Sequence, residues 1–193
     1  MSAADSFYEL PDNLPVPTDD GAADHLKGAG VSSLPLPSTA GGVVDLSALR
    51  GSSVVYAYPR TGEPGRGVPD GWDEIPGARG CTPQSCAFRD AHSELRALRV
   101  GVFGLSTQTT EYQLEAAKRL RLPFPLLSDA SLAFTRRMRL PSFRFADMTL
   151  LKRLTLVIRE GRIEHVFYPV FPPDKNADEV LAWLRERAGS QAS

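Results

Sequence analysis

Gly80-Cys81-Thr82-Pro83-Gln84-Ser85-Cys86 holds both cysteines of the chain, five residues apart. What flanks the segment decides how it folds. Downstream, Ala87, Ala91, Leu95 and Leu98 recur at spacings of four, four and three, which is one face of a helix beginning near Thr82. Upstream, Val54-Val55-Tyr56-Ala57-Tyr58 is an apolar strand stopped by Pro59. The pair therefore lies where a helix opens, after a strand and a long loop rich in Gly and Pro over 60–80. A loop that long in a compact domain is usually functional or mobile.

The alternation continues outward. Residues 100–106 read as a second strand and 110–120 as a second helix, with Leu114, Ala117 and Leu120 inward. A short strand at 125–127 and a short helix at 131–138 follow. Residues 153–159 form a strong strand, which Glu160-Gly161 turns into another at 162–170, before a last helix at about 177–187 capped by Asn176. Strands alternating with helices imply the α/β class: a central mixed β-sheet flanked by helices. The closing strand, hairpin and helix are what the second half of a thioredoxin-like fold requires. Residues 1–40, rich in Pro, Asp, Gly and Ser, read as an extended N-terminal arm, with a short helix around 21–27 capped by Asp20. The domain proper is expected over 41–190.

Composition narrows the function. A chain of 193 residues with 42% hydrophobic residues can build one substantial core. The net charge of −1 offers no electrostatic case for nucleic acid or an anionic membrane. No apolar run approaches the roughly 18 residues of a membrane span. The N-terminus has neither a basic start nor an apolar core, so a cytoplasmic setting without a signal peptide is expected. In that compartment thiols are kept reduced, and a close cysteine pair serves catalysis or metal binding more often than structure.

A helix N-terminus offers free N–H donors and about half a positive charge, which suit a sulfur anion. Cys81 stands there, and Pro83 suits the first turn because its missing N–H costs nothing. Cys81 is therefore the better nucleophile, since Cys86 lies more than a turn further in. In an intact α-helix, Cα atoms five residues apart are roughly 8.6 Å from each other. A disulfide needs them within about 6.8 Å. The two cysteines can bond only if the first turn unwinds. Two plainer readings stand beside this one: a pair of buried small apolar side chains, or half of a zinc site. The second is poorly served, because the only histidines are His25, His92 and His165 and there is no second cysteine pair.

The run Tyr58-Pro59 followed by residues 80–90, Gly-Cys-Thr-Pro-Gln-Ser-Cys-Ala-Phe-Arg-Asp, resembles the active-site segment of peroxiredoxins. It is most similar to the type called bacterioferritin comigratory protein or peroxiredoxin Q. Val102-Phe103-Gly104-Leu105-Ser106-Thr107, Pro123-Phe124-Pro125-Leu126-Leu127-Ser128-Asp129 and Gly161-Arg162-Ile163-Glu164-His165-Val166-Phe167 resemble later family motifs, in order. The resemblance implies a peroxidase in which Cys81 attacks the peroxide and Cys86 resolves the product. It implies Arg153 as the cation beside the sulfur, with Lys152 as a neighbouring rival. It implies hydrogen peroxide or organic hydroperoxides as substrate, and thioredoxin or another dithiol as reductant. No metal, flavin or haem is implied; the group is often monomeric, but the insert over 60–76 or the N-terminal arm could make an interface, so monomer and homodimer both stay open.

Two positions depart from the pattern: Glu74 stands where the family has a Pro, and the second lies nearer the cysteine. The family sets a Thr three residues before the attacking Cys, and this chain has Ala78 there. Thr61 or Thr82 is left to supply the hydroxyl, or none does. The stretch 60–76, with Arg66 and Trp72, is an insertion relative to the family; it caps the pocket, docks a partner or merely decorates the surface. Two rival activities remain: a thiol–disulfide oxidoreductase, against which the lack of C-x-x-C spacing speaks, and a redox sensor switching through Cys81 and Cys86.

Overall fold

The computed structural model describes residues 10–63 and 66–191, so residues 1–9, where the absence of a leader was read, lie outside the described residues. Its strands are β1 (Pro35–Pro37), β2 (Val43–Asp45), β3 (Ser52–Ala57), β4 (Val100–Ser106), β5 (Leu126–Ser128), β6 (Ser142–Phe145), β7 (Met148–Leu151), β8 (Leu154–Arg159) and β9 (Arg162–Phe167). The helices are α1 (Cys81–Asp90), α2 (His92–Ala97), α3 (Thr110–Arg119), α4 (Ala133–Met138) and α5 (Asn176–Gln191).

Five strands form the central sheet in the order β5-β4-β3-β8-β9. β3, β4 and β5 run parallel, joined by the helical crossovers that parallel pairing demands. β8 and β9 are antiparallel, joined through Glu160-Gly161. This is the expected thioredoxin-like α/β architecture. β3 lies at the centre and is apolar on both faces. Its side chains alternate: Val55 and Ala57 pack with Leu105, Leu127, Phe134, Leu156 and Ile158 on one side. Val54 and Tyr56 pack with Phe88, Leu95, Val102, Leu126 and Val180 on the other. The sheet is tight at Gly104, where a Cβ would come within 2.4 Å of Leu126 and 2.9 Å of the Tyr56 hydroxyl. Among the described residues no helix is long and apolar enough to cross a membrane.

The structure differs from the sequence reading in several places: β1 and β2 pair across the boundary drawn at residues 40 and 41, and the strand read as 162–170 ends at Phe167. The helix after the cysteines is two helices, broken at Ala91 (φ −79, ψ −6). Ala91 and Leu95 stay buried across the break, so the apolar face read from the sequence survives it. Residues 21–28 make consecutive turns in place of the expected helix. So short a stretch gains too few hydrogen bonds to offset helix nucleation, and the Asp20 carboxylate that was to cap it binds Lys152 and Tyr168 as well as the Ala22 N–H. Leu26, Val31 and Leu36 from this N-terminal stretch lie in the main core. The hairpin β6–β7 was not anticipated. Its turn, Ala146-Asp147, holds Ala146 at φ 49 without the Gly or Asn that signals a tight hairpin.

Candidate active site

α1 begins at Cys81, and Gly80 before it takes φ 100, a conformation natural only to glycine. A Cβ at Gly80 would lie 2.3 Å from Pro173 and 2.7 Å from Leu10, so the turn is clamped between two distant segments. From below, α1 is held by Phe88, stacked on Tyr56 at 4.6 Å, and by the Tyr56 hydroxyl, which donates to Ser85 Oγ at 3.1 Å. The result is a rigid helix start that carries Cys81 with only 4% of its surface exposed.

Arg153, immediately before β8, reaches the sulfur. Its Nη2 lies 3.3 Å from Cys81 Sγ and also donates to the carbonyls of Ala78 (3.2 Å) and Arg79 (3.0 Å). Nη1 donates to Gln84 Oε1. The other end of that amide donates to Asn176 Oδ1 at 3.0 Å, which also accepts from the Thr155 hydroxyl at 2.6 Å. One chain of contacts thus runs from α5 through α1 to the guanidinium. It fixes the orientation of Gln84, because only the carbonyl end can accept from an arginine. Arg153 is 3% exposed, and among the described residues no carboxylate pairs with it. A buried cation is costly without a counter-ion. The atoms around this one are neutral oxygens and one sulfur, so a thiolate at Cys81 is the counter-ion the arrangement suits.

Lys152 points elsewhere, to Asp20 at the surface. Of the two neighbouring cations, only Arg153 lies beside the sulfur. Cys86 lies in the same unbroken helix and is half-buried, and both cysteines are free thiols. Burial pushes the Cys86 thiol above its ordinary value, against the pull of nearby Arg89.

The two threonines part company. Thr61 is buried, but its hydroxyl and N–H both donate to Gln108 Oε1, at 3.2 and 2.9 Å. Its carbonyl accepts from Tyr112. It does not line the cavity that reaches Cys81, whereas Thr82 does. That cavity, of about 160 Å³, is lined by Val68, Pro69, Trp72, Ala78 and Thr82 together with the charged Arg60, Glu63, Arg66 and Arg79. At Ala78 the backbone carbonyl does the work, accepting from Arg153 beside the sulfur.

Sequence reasoning missed Gln84 and Thr155, and took Asn176 for a helix cap. A faint signal existed for Gln84: three residues after Cys81, it shares a helix face with it. Asn176 is instead the first residue of α5, fully buried, with its side chain turned into the site.

The Redoxin family profile matches residues 14–181. Peroxiredoxin Q, chloroplastic, of Sedum lineare is 34% identical over 161 residues, 82% of this chain and 77% of that protein. Peroxiredoxin Bcp of Escherichia coli (strain K12) is 33% identical over 158 residues, 79% of this chain and 91% of its own. Among solved structures, peroxidoxin BcpB of Mycobacterium tuberculosis superimposes with a TM-score of 0.67 at 29% identity, covering 83% of this chain and 96% of that one.

Proposed function

The chain belongs to the Redoxin family as a thiol peroxidase of the peroxiredoxin Q/Bcp type, and from that premise we propose that Cys81 is the attacking cysteine, Arg153 the cation that serves it and Cys86 the resolving cysteine. The observation that carries this assignment is the buried Arg153 guanidinium beside the Cys81 sulfur, without a carboxylate partner among the described residues.

Peroxide enters the cavity beside Cys81. The thiolate attacks one oxygen of the hydroperoxide, ROOH, and an S–O bond forms as the O–O bond breaks. The sulfur is oxidised to the sulfenic acid, and the RO⁻ that leaves takes up a proton as alcohol or water. Negative charge moves from sulfur to the departing oxygen in this step. The Arg153 Nη2, already aimed at Sγ, can donate to that oxygen as the charge arrives. Of the two threonines, Thr82 lines the cavity and is our candidate to orient the peroxide, while the Thr61 hydroxyl donates to Gln108.

Cys86 then attacks the sulfenic sulfur, forming a disulfide and expelling water. An intact α1 keeps the two Cα atoms too far apart for this, by about 2 Å on helix geometry. The first turn must open, withdrawing Gly80 from between Pro173 and Leu10. A dithiol protein, thioredoxin or one like it, reduces the disulfide and regenerates both thiols. A cytoplasmic setting would supply such a reductant.

The test is NADPH oxidation with thioredoxin, thioredoxin reductase and hydrogen peroxide. NADPH loss that needs both this chain and peroxide is expected. Loss that persists in Cys81→Ser would remove Cys81 from the role.

A further inference from the structure

Much of the lining of the cavity comes from the stretch between β3 and α1. Trp72 is its centre. The ring is only 5% exposed and lies edge-on to Phe145 at 5.0 Å, with Phe143 at 6.3 Å. With Ala78 and Leu150 it makes a small core of its own, separate from the two that cover the sheet. Asp73, next to it, pairs with Arg79 at 3.2 Å, tying the wall to the residue before Gly80. Indole, ion pair and hairpin thus hold one another in place, and the same indole lines the cavity that holds Cys81.

We propose that Trp72 is a specificity-determining residue: its indole is the apolar surface on which the organic group of a hydroperoxide rests while the O–O bond faces Cys81. This rests on the reading of Cys81 as the attacking cysteine. Hydrogen peroxide has no organic group and gains nothing from the wall. An organic hydroperoxide gains apolar and aromatic contact that persists in the transition state, so the gain appears in kcat/KM. The space suits a compact group, since a cavity of about 150 Å³ holds a benzene ring. The substrate class is therefore a hydroperoxide with a compact branched or aromatic group, of which cumene hydroperoxide is a representative.

Trp72→Ala and Trp72→Phe test it. The rate of Cys81 oxidation is followed by rapid mixing, alkylation of unreacted thiol and intact mass, with hydrogen peroxide and with cumene hydroperoxide. In Trp72→Ala the ratio of the cumene rate to the hydrogen peroxide rate should fall about tenfold or more. Trp72→Phe, which keeps an aromatic wall, should retain most of the ratio. An unchanged or increased ratio in Trp72→Ala overturns the proposal. So does an equal loss with both peroxides, which makes Trp72 a structural support only, and so does a Trp72→Phe ratio at or below that of Trp72→Ala. If wild-type Cys81 reacts with neither peroxide faster than an ordinary thiol, the peroxidase reading fails first and the proposal falls with it. Reaction with both peroxides and an unchanged ratio removes Trp72 alone.

Discussion

The guanidinium of Arg153 stands 3.3 Å from the sulfur of Cys81, although the two residues are 72 positions apart in the chain. Both are almost wholly buried. β8 delivers one and the start of α1 the other, and the carbonyls of Ala78 and Arg79 fix the angle between them. A charge so placed is of little use to folding alone, because desolvation offsets most of what it gains. It suits a reaction in which negative charge passes from sulfur to oxygen.

Removing that charge should cost the reaction more than the fold. Arg153→Met, similar in length and apolar, is expected to fold and to lower the second-order rate of Cys81 oxidation by about 10²–10³, the usual range for one charge-stabilising donor. Arg153→Lys should recover only part, since a single ammonium cannot serve the sulfur, two carbonyls and Gln84 together. Stopped-flow oxidation kinetics measure both variants, and a rate within about threefold of wild type in Arg153→Met would contradict the role given to the guanidinium.

Gln84 positions Arg153 while remaining neutral. Gln84→Glu keeps the shape and puts a carboxylate where the amide carbonyl was, giving Arg153 a counter-ion other than the thiolate. The peroxide rate should drop about 10–100-fold, the scale of one charge-assisted hydrogen bond, and some stability should be lost with it, because the second carboxylate oxygen faces Asn176 Oδ1 where the amide donated. A drop in stability with an unaltered rate would make Gln84 a structural residue only.

The helix α1 must open for Cys86 to reach Cys81. Amide hydrogen exchange compares the reduced protein with the disulfide form: the Gln84 N–H, bonded to the Gly80 carbonyl, and the next N–H groups of α1 should be protected in the first and exchange freely in the second. Protection that survives oxidation would mean that the disulfide forms between molecules or not at all. Gly80→Ala tests the same hinge. With a Cβ 2.3 Å from Pro173 and φ in the left-handed region, it should destabilise the reduced fold by about 1–3 kcal/mol or more.

Cys86 offers a pH readout. Burial holds its thiol above the ordinary value of 9.0 in the reduced helix. A thiol displaced upward remains protonated as the pH passes through that value, and only thiolate reacts with an alkylating agent. In Cys81→Ser, the pH profile of Cys86 labelling by iodoacetamide should therefore have its midpoint above 9.0. A midpoint at or below 9.0 would contradict the buried placement.

The parts of this site differed in how legible they were. β3 and β4 announce themselves as apolar runs, and Cys81 declares its place because the period of the following helix begins just after it. Arg153 was reached through family resemblance, because nothing local separates it from Lys152. Only the fold shows that Lys152 turns to Asp20. Gln84 and Asn176 meet across 92 residues, and no local pattern encodes such a pairing. Thr61 illustrates the converse. Its hydroxyl chemistry fitted the vacancy left by Ala78, but Gln108, 47 residues on, had already claimed it. The wall built on Trp72 was legible only as one of three readings of 60–76, because its partners, Phe143 and Phe145, sit on a hairpin whose turn carries no hairpin residues.

The central claim is that Cys81 is the atom peroxide meets first. Cys86→Ser, which cannot close the intramolecular disulfide, isolates that step. The variant is treated with one equivalent of hydrogen peroxide in the presence of dimedone, which traps sulfenic acid, and the adduct is located by mass spectrometry of the digested chain. The account predicts a single adduct, on Cys81, that disappears in Cys81→Ser. No adduct on Cys81, with the thiol still free after peroxide, would contradict it.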